Sequence, residues 1–207
     1  MKRGVLAGAV VLVLWAVPVL AQGSTMKREE PKAKMEGVIV QVGGGVESYT
    51  GSLAPEVNLG PAYGARVQFK PTRILGLELG YNGALNNIDK AAAVRPEGLA
   101  GPDLIRNGGE VVATVGLTET RLQPYLLAGV GMSRYTLRGE DRAGFQSDNT
   151  GHFPLGAGLR AHFGQLNADA RLGYSVLFDQ QFATAIKNPN AFSSGRYAGT
   201  LNVGAAF

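Results

Sequence analysis

From Gly37 onward the chain alternates. Apolar residues occupy every second position through eight stretches, roughly 37–48, 61–70, 74–84, 109–118, 121–136, 152–163, 166–178 and 196–207. A period of two puts successive side chains on opposite faces, so each stretch reads as a strand with one apolar face. The last stretch shows this most plainly. Tyr197, Gly199, Leu201, Val203, Ala205 and Phe207 share one face, while Ala198, Thr200, Asn202, Gly204 and Ala206 share the other. Such a strand cannot face lipid alone, because its edge leaves backbone groups unpaired; it must close against another strand.

The connections alternate too. Pro71–Arg73, Glu119–Thr120 and Gly164–Gln165 are tight turns, whereas 49–60, 85–108, 137–151 and 179–195 are long. Short turns at one end and long loops at the other are the habit of transmembrane barrels. The expected fold is therefore all-β: an eight-stranded antiparallel up-and-down transmembrane β-barrel spanning residues 37–207. The prolines agree with closure, since a proline inside a closed barrel loses a ladder bond. Pro55, Pro96, Pro102 and Pro189 fall in long loops and Pro71 in a turn; Pro61, Pro124 and Pro154 are expected near strand starts.

The phase of each strand assigns its faces. Val38, Val40 and Val42, then Leu75, Leu77 and Leu79, then Leu155, Ala157 and Leu159 point outward, with matching sets on the other strands. A one-residue slip of 166–178 would put Asp169 and Arg171 into lipid, and an arginine at the midplane costs about 2–4 kcal/mol. Arg134 is outward, near the external end. Tyr49, Tyr63, Tyr81, Tyr135, Phe153, Tyr174, Phe178 and Tyr197 gather at the external end and Phe69, Phe163 and Phe207 at the periplasmic end, the two heights of an aromatic girdle.

The inward positions supply Gln41, Glu47, Arg66, Gln68, Glu78, Asn82, Glu110, Thr114, Gln123, Arg160, His162, Asp169 and Arg171. Eight strands leave an interior that side chains just fill. If Lys70 faces Ile74 across the first turn, Arg66 lies opposite Glu78; if Phe163 faces Leu166, Arg160 lies opposite Asp169. Opposite charges so placed attract. A plugged interior, not an open pore, is expected.

The N-terminus reads as an export signal over residues 1–21. Lys2 and Arg3 precede an apolar core that is too short to span a membrane and ends in small residues, Val19 and Ala21. Residues 22–36 form a polar periplasmic arm. Cleavage after Ala21 would leave 18 basic against 16 acidic residues. That balance does not favour nucleic acid. With no cysteine there is neither a disulfide, a thiolate metal site nor a lipid-modified N-terminal cysteine. No cofactor motif, metal-ligand cluster or phosphate loop is present.

The segments P-Y-L-L-A-G-V-G (124–131), G-L-E-L-G-Y (76–81) and A-R-L-G-Y (170–174), with a closing strand ending on Phe207, carry a resemblance. The chain resembles the small eight-stranded outer-membrane barrels, the OmpA-like and OmpX-like group, over about residues 37–207. The resemblance implies an outer-membrane location in a Gram-negative cell, contact with lipid and lipopolysaccharide, and recognition of Phe207 by the barrel-assembly machinery. No segment resembling a peptidoglycan-binding domain is read.

Four functions are open at this point. The first is a non-enzymatic barrel serving envelope integrity or surface contact, with loop 85–108 as a surface for an extracellular partner; Ala91–Val94 and Leu99 there are compatible with a short helix. The second is a narrow channel. The third is a lipid-modifying enzyme, which needs a nucleophile and a base together on the outer face. His152 stands at the external end with Ser147 and Asp148 nearby, but His162 points inward as filling. The fourth is a soluble ligand-binding barrel, which requires the opposite polarity of faces.

Overall fold

The computed structural model describes residues 34–51, 54, 57–87, 103–138, 148–178 and 194–207. The proposed signal, most of the polar arm, and the tips of the long loops lie outside the described residues. Eight strands form a closed antiparallel barrel in chain order: β1 (Gly37–Gly51), β2 (Gly60–Lys70), β3 (Leu75–Asn87), β4 (Asp103–Gly116), β5 (Leu122–Arg138), β6 (Asp148–Phe163), β7 (Leu166–Phe178) and β8 (Ser194–Ala206). β8 pairs with β1, so no sheet edge remains.

Every outward set is exposed and apolar. Leu79 is 65% exposed, Leu172 73% and Leu201 71%, whereas the alternate positions Gln68, Arg160 and Asp169 are buried. Inverted polarity of this kind is unfavourable in water and favourable in lipid, where the only backbone constraint is that every ladder bond be made.

At the external end the strands run further than their alternation indicates. Leu85–Asn87 pair with Asp103–Ile105, so both ends of segment 85–108 are strand. Leu104 is fully buried there, at the top of the lumen. The remaining part of that segment, and any helix in it, is outside the described residues. Asn86 donates to the carbonyls of Glu47 (3.1 Å) and Asn58 (2.8 Å), tying the returning chain to the rim.

Pro154 departs from expectation. It lies within β6, not near its start, and points into the lumen. The pairing of β5 with β6 runs to Ala128↔Leu155 and resumes at Gly131↔His152, leaving Gly129 and Val130 unpaired with Phe153 and Pro154. The missing proline N–H accounts for the gap.

β1 carries Gly43, Gly44 and Gly45 against β8. A Cβ at Gly43 would fall 2.2 Å from the Leu201 carbonyl oxygen, and one at Gly45 1.9 Å from that of Gly199. Only bare backbone fits so close a curve at the closing seam.

Candidate functional site

The lumen is the site, and it is built in layers. The middle layer joins Glu78 of β3 to Arg160 of β6 (3.2 Å) and to Arg171 of β7 (2.6 Å). Asp169 meets Arg160 at 3.3 Å and Arg66 at 3.5 Å. Tyr125 stands between the arginines, with its ring centroid 4.7 Å from the Arg160 guanidinium carbon and 5.5 Å from that of Arg171. Its hydroxyl donates to Asp169 (2.8 Å) and accepts from Arg171 (2.9 Å). Gln68 accepts from Arg160 at 2.6 Å and donates to Thr114 at 2.9 Å. In this layer three guanidinium groups face two carboxylates, and Lys70 below them is held by Gln123 at 2.8 Å.

Arg160 is directly opposite Asp169, through the register Phe163↔Leu166. Arg66 is not opposite Glu78. The β2–β3 ladder ends at Phe69↔Leu77, which sets Gln68 against Glu78 and Arg66 against Gly80. The turn is longer than Pro71–Arg73: residues 71–74 bridge the strands and Thr72 Oγ1 accepts the Leu75 N–H at 3.0 Å. A two-residue shift preserves both faces, so the alternation does not reveal it.

The external layer is a second network. Arg106 of β4 grips Glu47 of β1 with two bonds, Nε to Oε1 at 2.8 Å and Nη2 to Oε2 at 2.7 Å. It also donates to Asn82 and, at 3.3 Å, to Ser133. Arg196 of β8 lies 3.5 Å from Glu47 and donates to Ser175 at 3.2 Å. Tyr49 and Tyr135 are buried in this layer, not part of the outer girdle, because their odd numbers put them on the inward phase. Arg106 escapes the sequence reading because it lies in segment 85–108. Arg196 escapes it too, although its phase with Thr200 and Asn202 was a usable signal.

His152 is also inward and fully buried. Its Nε2 is 3.5 Å from Glu110 Oε2, and its Nδ1 is 3.5 Å from Ser133 Oγ. The trio has the residue types of a hydrolytic triad but faces the lumen, beneath buried Leu104 and Tyr135 and beside Leu177. Ser147 and the side chain of Asp148 lie outside the described residues. His162 is buried near the periplasmic end. Among the described residues no group of three or more His, Asp or Glu is arranged to hold a metal.

Between the two layers lies a cavity of about 90 Å³ lined by Arg66, Glu110, Arg171 and Arg196, with Ala62 and Gly173 leaving the space. A polar volume of that size suits a few water molecules. At the periplasmic mouth Gln41 donates to Asn167 at 2.6 Å, and Ile39 and Met35 are buried. The main-chain N–H of Lys34 donates to the Gly164 carbonyl at 3.0 Å. Phe207, exposed on the outer face, exchanges backbone bonds with Val38 at 2.8 and 3.3 Å.

A closed antiparallel ring with an oily exterior and a charged axis defines a transmembrane β-barrel. The profile of the outer membrane protein beta-barrel domain matches residues 7–206, and the chain belongs to that family. Its place is the Gram-negative outer membrane, among the lipids there. No curated protein matches it in sequence. Among solved structures it resembles neisserial surface protein A, with a TM-score of 0.57 and 14% identity over 83% of this chain and 98% of that one. It also resembles Ail, the attachment invasion locus protein of Yersinia pestis (0.53, 13%, 84% and 100%). A third is the N-terminal barrel domain of Pseudomonas aeruginosa OprF (0.52, 18%, 84% and 100%). Likeness at these identities carries the fold alone.

Proposed function

We propose that this is a non-enzymatic outer-membrane barrel with a filled interior, serving envelope integrity or surface contact through its external loops. One observation carries the reading: ion pairs cross the axis between non-adjacent strands, Glu78 to Arg171 and Glu47 to Arg106. A solute path would have to break both networks, and each broken pair would leave a buried charge.

The experiment is planar-bilayer recording of purified, refolded protein. Near-silent membranes are expected, with brief openings at most. Sustained conductance altered by Arg66→Ala or Arg160→Ala would replace this reading with a narrow channel. The Ser133–His152–Glu110 trio lies in the lumen, away from acyl chains. Lipid A from cells overproducing the protein should match that from cells producing Ser133→Ala.

The charge pairs of Arg66, Glu78, Arg160, Asp169 and Arg171 are assigned a structural role, as the plug. Phe207 is assigned the role of the terminal signal read by the barrel-assembly machinery; its exposed side chain at the seam supports this. Lipopolysaccharide is the proposed outer-leaflet neighbour. Segment 85–108, whose tip lies outside the described residues, is the proposed surface for an extracellular partner.

A further inference from the structure

The outward column of β5 reads Leu122, Pro124, Leu126, Ala128, Val130, Met132 and then Arg134. The twelve steps from Leu122 to Arg134, at about 3.3 Å each and a tilt of about 40°, rise about 30 Å, slightly more than the apolar band of about 25 Å. Arg134 therefore sits at the upper rim of the hydrocarbon, on the side that faces the bilayer. It is exposed, and among the described residues no carboxylate pairs with it.

Its two cross-strand neighbours are both amides. Asn107 of β4 stands opposite on one side and Asn149 of β6 on the other. Asn107 is held in a particular way. The hydroxyls of Tyr63 and Tyr81 both donate to its Oδ1, at 2.8 and 2.7 Å. Tyr63 reaches it by lying over Gly83, where a Cβ would come 2.4 Å from the ring. With the carbonyl oxygen engaged twice, the amide nitrogen is the end of Asn107 left to serve a ligand.

We propose that Arg134 and Asn107 form a binding site for the phosphate of an outer-leaflet lipid headgroup, with Tyr63 and Tyr81 positioning Asn107. The chemistry is charge-assisted hydrogen bonding to phosphate oxygens, for which a guanidinium fork is suited. The site opens sideways, directly above exposed Met132 and Val130, where acyl chains of the same molecule would lie. That placement favours a lipid over a free anion. Two tyrosines spent on orienting one lipid-facing amide are hard to account for as packing, since both rings would bury equally well without it.

Native mass spectrometry of the detergent-solubilised barrel tests this, with dilauroyl phosphatidic acid as the probe and dilauroyl phosphatidylcholine and inorganic phosphate as comparisons. The phosphatidic acid adduct is expected to survive at roughly tenfold lower lipid concentration than the choline lipid. R134Q should abolish that preference, R134K should keep part of it, and Y63F/Y81F should weaken it. Gel mobility before and after heating confirms that each variant is folded. Unchanged preference in R134Q overturns the site. Displacement of the lipid by equimolar inorganic phosphate overturns the lipid assignment. Neither result depends on whether the barrel conducts.

Discussion

Arg171 and Glu78 meet at 2.6 Å although their strands, β7 and β3, are not neighbours in the barrel. The contact crosses the lumen and ties opposite walls together. Glu78 has a second bond to Arg160, which also has Asp169. Losing Glu78 thus leaves Arg171 as the buried cation without a carboxylate. Glu78→Ala is expected to destabilise by about 3–5 kcal/mol, the usual penalty for orphaning a buried charge. Adding Arg171→Leu should restore part of that loss, and adding Arg66→Ala should restore less. Urea unfolding in lipid vesicles measures both; equal recovery with either partner would contradict the cross-lumen pairing.

Tyr125 and Gly158 are a matched pair. A Cβ at Gly158 would fall 2.4 Å from the Tyr125 ring. Gly158→Ala should therefore destabilise strongly in the wild type and much less in a Tyr125→Ala background. Tyr125→Phe keeps the ring between the arginines but removes its bonds with Asp169 and Arg171. A loss of about 1.5–3 kcal/mol is expected, from hydrogen bonds to charged groups. A Gly158→Ala effect that ignores residue 125 would show that the ring is not the constraint.

The outer face predicts a depth profile. Leu79, at mid-height and 65% exposed, meets acyl chains. Leu79→Arg should cost about 2–4 kcal/mol, and an arginine near the rim about 0–1 kcal/mol. Equilibrium unfolding in vesicles distinguishes them. Equal costs at the two heights would place the bilayer elsewhere on the barrel.

Phe207 separates stability from assembly. Its side chain is 67% exposed and meets lipid rather than protein, so Phe207→Ala should cost refolded barrel only the lost ring–lipid contact, about 1–2 kcal/mol by urea unfolding. If the residue is an assembly signal, the same variant should accumulate less folded barrel in cells, seen as less heat-modifiable protein in membrane fractions. A matching loss in refolded protein would make its role one of packing.

All eight strands were legible because lipid and lumen impose opposite polarities on alternate residues, and the sequence must record both. Legibility fades above the membrane rim. There the alternation breaks down, with Leu104 and Arg106 on one face and Ile105 and Asn107 on the other, so Arg106 reads as loop although it anchors Glu47. Register carries less information still. An even shift leaves every face intact, which is why Arg66 could be set opposite Glu78 when Gln68 holds that place. The partnership of Glu78 with Arg171 depends on barrel tilt and stagger, which no local pattern encodes. Tyr49 and Tyr135 mislead for a simpler reason: their height fits the girdle, while their phase turns them into the lumen.

The glycine run at Gly43–Gly45 has a consequence for how the cylinder is completed. Where β1 brings no side chains to meet Asn202, Leu201 and Thr200 of β8, little resists a slide of two positions. The stops must then stand at the extremities, where Val38 meets Phe207 below and Ser48 meets Tyr197 above. Phe207 thereby marks the register: its paired backbone bonds with Val38 form only when the two strands are correctly aligned.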